Sequence, residues 1–455
     1  MSLRSRIRAA ALATLAAASL GACATNPVTG RPQLALVSEA QEIEMGRQGA
    51  QEAQQSIGLV EDQALQDYVQ RVGARLAARS ERPGLPWTFR VVDDPSPNAF
   101  ALPGGFVFVT RGLMDVMGSE AQLATVVGHE IGHVTARHSV TQISRAQLAQ
   151  LGLGIGSVFV PAVQQLGNLA GTGLNLLFLH YSRDAENQAD DLGFRYALAE
   201  NYDVRQMPQV FASLQRVGEL EQQSSLPSWL ESHPDPQSRI VRTQQRIAAL
   251  NRPLEGTTVA RDEYLRRVDG LVYGENPRNG YFQGSTFLHP ELRFRLVFPQ
   301  GWKTQNLPQA VVAVSPQQDA VIQLTLAPQG NADVAAQQFF SQQGLQAGQV
   351  SRETVNGLPA VAGYFQGQTQ QGVVQGVAAF VSYGGRTYQI VSYAPAQRFG
   401  AYQGVFQQSL GTFGPLTDPQ ALAVRPNVVR LVRLDRTMTL AQFNQRYPSV
   451  VPIAE

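Results

Sequence analysis

Ser119-Glu120-Ala121-Gln122-Leu123-Ala124-Thr125-Val126-Val127-Gly128-His129-Glu130-Ile131-Gly132-His133 is the stretch whose reading decides both fold and chemistry. Leu123, Val126, Val127, Ile131 and Val134 recur at helical spacing, which predicts a helix with one buried face. Ser119 with Gln122 fits a capping box, and Glu120 suits the positive end of the helix dipole. His129 and His133 share one helical face, so both imidazoles can meet one zinc ion. Glu130 is one step around the helix. It can reach a water activated by the metal, accept its proton and pass that proton to a leaving amine. Gly132 leaves room for other backbone to approach the metal face closely.

A zinc site of this kind needs a third ligand. Glu186-Asn187-Gln188-Ala189-Asp190 lies on a second predicted helix, roughly Ser182 to Ala199. Glu186 and Asp190 share a face by the same spacing. Glu186 would complete a His₂Glu set, with the fourth position left to water. Asp190 would hydrogen-bond the outer nitrogen of a zinc histidine. Without the first helix, the pair would read as an exposed acidic face. His138 is a competing ligand, but the HExxHxxGxxH pattern needs Gly where Ala136 stands and His where Ser139 stands. His138 therefore reads as a surface or supporting residue, and His180 and His289 default to structural roles.

These two segments, with Tyr181-Ser182-Arg183-Asp184-Ala185 and Ser232-His233-Pro234-Asp235-Pro236 followed by Arg239-Ile240, resemble the M48 family of peptidases, the relatives of HtpX and the CaaX-prenyl proteases. Asn98-Ala99-Phe100-Ala101 with Pro103-Gly104-Gly105 is similar to that family's strand before the zinc helix. The resemblance covers about residues 35–250 and is closest to the periplasmic, lipoprotein-like branch. It implies a gluzincin fold, one Zn²⁺ per chain held by His129, His133 and Glu186, and Glu130 as general base. It also implies that Asn98, Ala99, Phe100 and Ala101 line the cleft and pair with an extended substrate. Gln188 stands where many members carry an acidic residue. It points away from the face of Glu186, so little effect on zinc is expected. His233 has three open readings: an oxyanion stabiliser, a reversible fourth zinc ligand that latches the site, or a cap for the following helix. Arg239 is a second candidate for the oxyanion; otherwise it is a solvated helix-surface arginine.

The rest of the 455-residue chain sets the frame. With 44% hydrophobic residues, it has ample material for buried cores. A net charge of +1 gives no electrostatic support for a nucleic-acid partner. Arg4, Arg6 and Arg8 followed by the apolar run Ala9 to Leu20 read as a secretory signal over 1–22. Leu20-Gly21-Ala22-Cys23 resembles a bacterial lipobox, and Cys23 is the only cysteine, so it reads as a lipidation site and membrane anchor. Ala24 after it favours the outer membrane of a Gram-negative envelope, facing the periplasm.

The expected layout is a lipidated tether over 23–35 and the zinc peptidase domain over 36–250, mainly helical with a small edge sheet. A linker over 251–284, a separate α+β antiparallel-sheet domain over 285–415 and a short tail over 416–455 follow. The sheet domain resembles small domains of the PsbP type in texture. The apolar, Gly-rich residues 141–180 read as buried helices and loops, or as a lid or membrane-touching hairpin. Function follows the motif. The expectation is an endopeptidase acting on misfolded or unassembled envelope proteins. The alternative is a weak or latched peptidase that serves mainly as a chaperone or assembly factor beside the outer-membrane assembly machinery.

Overall fold

The computed structural model describes residues 23–150, 181–220, 233–307, 309–327, 331–369 and 372–451. The expected signal peptide, most of the 141–180 segment and His180 lie outside these residues. The chain divides into two compact units, 1–274 with 428–455, and 275–427. Among the described residues, no helix is long and apolar enough to cross a membrane.

The first unit opens with two short antiparallel strands, β1 (Cys23–Thr25) and β2 (Pro32–Leu34). An extended tether was expected here. Instead the hairpin is fastened to the end of the motif helix. Asn26 Nδ2 donates to Ala136 O at 3.2 Å, and Gln33 Nε2 donates to Ala136 O at 3.1 Å and Arg137 O at 3.2 Å. Carbonyls at a helix C-terminus lack intrahelical donors, and these two side-chain amides supply them.

Helix α1 (Glu39–Ser56) starts at a full capping box between Ser38 and Gln41, and α2 (Gln63–Ala77) starts at Asp62. Strands β3 (Thr88–Val92), β4 (Ala99–Leu102) and β5 (Phe106–Thr110) form a three-stranded sheet in the order β3-β5-β4. β3 runs parallel to β5, and β4 runs antiparallel to it through the Pro103-Gly104-Gly105 turn, where both glycines have positive φ. β4 therefore has one edge carrying no strand among the described residues.

After the short α3 (Arg111–Val116) comes the motif helix α4 (Glu120–Thr135), buried along almost its whole length. Only half of the expected capping box forms. Ser119 Oγ accepts from Gln122 N, but the Gln122 side chain accepts from Gly118 N at 2.6 Å instead of from Ser119 N. The helix ends at Ala136, and Arg137 turns the chain with φ +58° before α5 (His138–Gln150). That turn is pinned by Glu42, which accepts from Arg137 Nε at 3.0 Å and from Arg82 Nη1 at 2.7 Å.

Helix α6 (Arg183–Ala199), capped by Ser182, crosses α4 at very short range. A Cβ on Gly193 would lie 2.6 Å from His129 N, and one on Gly128 would lie 3.0 Å from Gly193 Cα. Glycine at the crossing lets the two backbones touch, and this brings Glu186 up to the two histidines. Helices α7 (Met207–Leu220) and α8 (Pro236–Ala248) complete the wall behind them.

The unit does not end near residue 250. Helix α9 (Arg261–Val268) lies where a linker was expected, with Tyr264 and Val268 in the main core and Tyr264 Oη donating to Met114 O at 2.6 Å. The tail returns to this unit as well, since Gly270 N donates to Val429 O and Val429 N to Leu271 O, both at 2.8 Å.

The second unit holds a seven-stranded antiparallel sheet. Its spatial order is β6 (Lys303–Leu307), β7 (Ala310–Val314), β8 (Val321–Leu326), β12 (Arg386–Pro395), β11 (Gly372–Tyr383), β10 (Leu358–Thr369), β9 (Leu345–Val355). Alternate residues of β11 feed two cores. Val377, Ala379 and Val381 face one, with Phe406 and Leu410 of α11 (Phe399–Leu410); Ala378 and Phe380 face the other, under α10 (Ala332–Phe340). Asn331 caps α10, its side chain accepting from Val334 N. The two-unit α+β layout expected from the sequence is what the fold shows.

Candidate metal centre

His129 and His133 project from the last turns of α4 with their Nε2 atoms 3.0 Å apart. Glu186 on α6 faces both, with Oε2 3.6 Å from His129 Nε2 and Oε1 3.4 Å from His133 Nε2. His233, in the loop before α8, adds Nδ1 at 3.2 Å from His129 Nε2 and at 3.0 Å from each Glu186 oxygen. The four ligand atoms lie within 4.8 Å of one another, and all four side chains are buried. Ligands 2.0–2.1 Å from a tetrahedral zinc stand about 3.3 Å apart, so this spacing fits that ion. The donor chemistry fits as well. Asp190 Oδ1 lies 2.9 Å from His129 Nδ1, which places the His129 proton on Nδ1 and its lone pair on Nε2, aimed into the cluster.

Electrostatics agree with a cation site. Burial lowers the His129 pKa to about 3, so its ring is neutral near pH 7. Burial alone would raise Glu186, but His233 and His133 beside it hold its carboxyl well below the usual range. Burial likewise opposes a charge on His233, yet the Glu186 carboxylate outweighs it and raises the ring's pKa. Glu130 is different. Its carboxylate is pushed up by burial, only partly opposed by His233 and His133. Its Oε1 has no hydrogen-bond partner among the described residues, and His233 Nε2 lies 3.7 Å from it. The His233 ring thus stands between Glu186 and Glu130.

Arg239 is not the solvated helix-surface arginine of one of its two sequence readings. It is buried, not solvated, and its guanidinium is committed to Asp190. Nη2 donates to Oδ1 at 2.6 Å and Nε to Oδ2 at 2.9 Å, while the Phe211 ring covers it at 4.3 Å. It lies behind His129 and holds Asp190 against that ring. Nor does His233 cap α8; Asp235 does, accepting from Ser238 N.

Residues 63–247 match the model of Peptidase family M48, from the first residue of α2 to the last turn of α8. Those residues are an M48 peptidase domain. The beta-barrel assembly-enhancing protease of Escherichia coli K12 is 27% identical over 283 residues, 60% of this chain and 57% of that protein. The mitochondrial metalloendopeptidase OMA1 of Arabidopsis thaliana is 33% identical over 184 residues, 40% of this chain and 36% of that protein. The chain spans about half or less of the length of these relatives. Among solved structures, cyanobacterial PsbP from Synechocystis overlaps 30% of this chain and 94% of that chain at 14% identity, with a TM-score of 0.25 from which no assignment follows.

Within the M48 domain, the Asn98–Ala101 segment forms the edge of the small sheet. Ala99 and Ala101 point into the main core, while half-buried Phe100 stacks on Phe108 with centroids 5.0 Å apart. Asn98 O accepts from Thr110 N at 2.9 Å, and Asn98 Oδ1 has no hydrogen-bond partner among the described residues.

Sequence reasoning missed the parts that Tyr181 and Gln188 play around His133. Tyr181 stacks on its ring at 4.0 Å, and Tyr181 Oη lies 2.8 Å from Ser139 Oγ. Of its two sequence readings His138 takes the supporting one: it is buried, with Nδ1 3.0 Å from His133 Nδ1. Gln188, expected to have little bearing on the site, places Oε1 2.9 Å from His138 Nε2. Helical spacing from Glu186 could not reveal that contact, because it runs through a third element.

Proposed function

We propose that this chain is a zinc-dependent endopeptidase that hydrolyses misfolded or unassembled envelope proteins. The convergence of His129, His133 and Glu186 on one point, with Glu130 buried beside them, carries the reading. One zinc ion would be held by those three residues, and when bound it supplies Lewis-acid activation of water. Glu130 takes the proton of the attacking water and delivers it to the leaving amine. Asp190, backed by Arg239, keeps the His129 proton on Nδ1. The open edge of β4 takes the substrate as an added strand, which aligns the scissile bond along α4. The intact ligand set favours hydrolysis over a purely binding role.

Lipidation of Cys23 and residence at the outer membrane belong to the same proposal. The names of the relatives support an envelope setting and a connection with β-barrel assembly. The test is metal removal. The purified protein should degrade unfolded casein, stop after treatment with a chelator and dialysis, and recover with one equivalent of zinc. Unimpaired cleavage by protein shown to be free of metal would sink the reading.

His233 fits the role of a latch. Its Nδ1 stands at ligand spacing from His129 and Glu186, and its Nε2 faces Glu130, so the ring occupies the place the attacking water needs. A His233→Ala variant should cleave faster than wild type, by roughly tenfold for a latch closed in nine molecules of ten. An oxyanion role predicts the opposite, a fall in kcat with zinc retained.

A further inference from the structure

A neutral imidazole has one N–H donor and one acceptor nitrogen. On the ligand reading proposed above, His133 must present a lone pair at Nε2, the atom that faces Glu186 and His129. Its proton then sits on Nδ1. That nitrogen lies 3.0 Å from His138 Nδ1, which must accept. The His138 proton is thereby forced onto Nε2, which donates to Gln188 Oε1 at 2.9 Å. Run in the other direction, with the Gln188 amide N–H donating, the same chain would put a proton on His133 Nε2 and remove the lone pair the metal needs.

We propose that Gln188 and His138 are positioning residues for His133, fixing its tautomer and ring rotation through this directional two-bond chain. The proposal rests on His133 being a zinc ligand. Helix α6 then serves the ligands of α4 twice. Asp190 holds His129 directly, and Gln188 holds His133 through His138. The face of Tyr181 against His133 blocks the ring from rotating away. An amide suits this position. It accepts as a carboxylate would, but adds no charge to a pocket that already holds Glu130, Glu186 and Asp190.

The test uses the full chain and reads zinc affinity by chelator competition, with His133 ring ¹⁵N shifts as the tautomer signature. Gln188→Leu removes the acceptor and should weaken zinc binding about 10–100-fold while shifting the His133 nitrogen signals. Gln188→Glu restores an acceptor of the same reach and should hold affinity within about threefold of wild type. The metal-free melting temperature of Gln188→Leu should match wild type, and that of Gln188→Glu should be equal or lower because it adds a fourth carboxylate. Unchanged affinity and unchanged ¹⁵N shifts in Gln188→Leu overturn the proposal. So does an equal loss in both variants, or a loss that follows the metal-free melting temperature. His133→Ala separates the two levels. If it binds zinc like wild type, the ligand reading itself fails; if it loses zinc while Gln188→Leu does not, only the relay fails.

Discussion

A Glu130→Gln variant should keep its zinc and lose about 10²–10⁴-fold in the rate of protein cleavage. The expectation follows from where the carboxylate sits. Glu130 is buried on α4 beside the ligand cluster but outside it, with its Oε1 3.7 Å from His233 Nε2. Burial raises its pKa, and a more basic carboxylate is a better proton acceptor near neutral pH. Glutamine keeps the shape and hydrogen-bonding reach but cannot take up a proton. The metal content, measured on the purified variant, should equal that of wild type because none of the four clustered ligand atoms is touched. Thermal stability should hold or rise, since a buried charge without full compensation is removed. A variant retaining more than about a tenth of the wild-type rate would take Glu130 out of the proton transfer.

The centre was legible where residue identity and period coincide. Helical spacing placed His129 and His133 on one face of α4 and Glu186 and Asp190 on one face of α6, because an α-helix converts sequence separation directly into direction. What brings the two helices together was half visible. Gly132 could be read in advance, but Gly193 acquires meaning only once its backbone meets His129.

Elements whose stability is mainly tertiary were missed. Helix α9, Arg-Asp-Glu-Tyr-Leu-Arg-Arg-Val, offers few apolar positions and no side-chain cap at Ala260. It is held by Tyr264 inserted into a core built by distant residues. Strand β9 is polar and exposed over most of its length, so no alternation marks it. The hairpin of β1 and β2 is fixed by two amides whose acceptors lie more than a hundred residues away, at Ala136 and Arg137.

Arg239 is the residue for which sequence and structure lead to different experiments. As an oxyanion stabiliser, its loss would lower kcat and leave folding alone. The geometry gives another outcome. Its guanidinium binds both oxygens of Asp190, lies 3.5 Å from Glu186 and is roofed by Phe211. Arg239→Leu leaves Asp190 buried without its counter-charge, and breaking such a pair costs about 3–5 kcal/mol.

The pH dependence carries the sign. Burial would raise the Asp190 pKa, but Arg239 and then His129 overcome it and hold the carboxyl below its ordinary value. A depressed carboxylate contributes stability that is present above its unfolded pKa, about 3.9, and is lost as pH falls through the folded value. Denaturant unfolding of the metal-free protein should therefore show the full penalty of Arg239→Leu at pH 7 and a smaller one near pH 3. Adding Asp190→Asn should recover part of the loss at pH 7, because the stranded charge is gone. Arg239→Lys should recover little, since an ammonium cannot make the two parallel bonds. A variant that unfolds like wild type at pH 7 yet loses turnover would return Arg239 to the reacting atoms and leave Asp190 to be held by His129 alone.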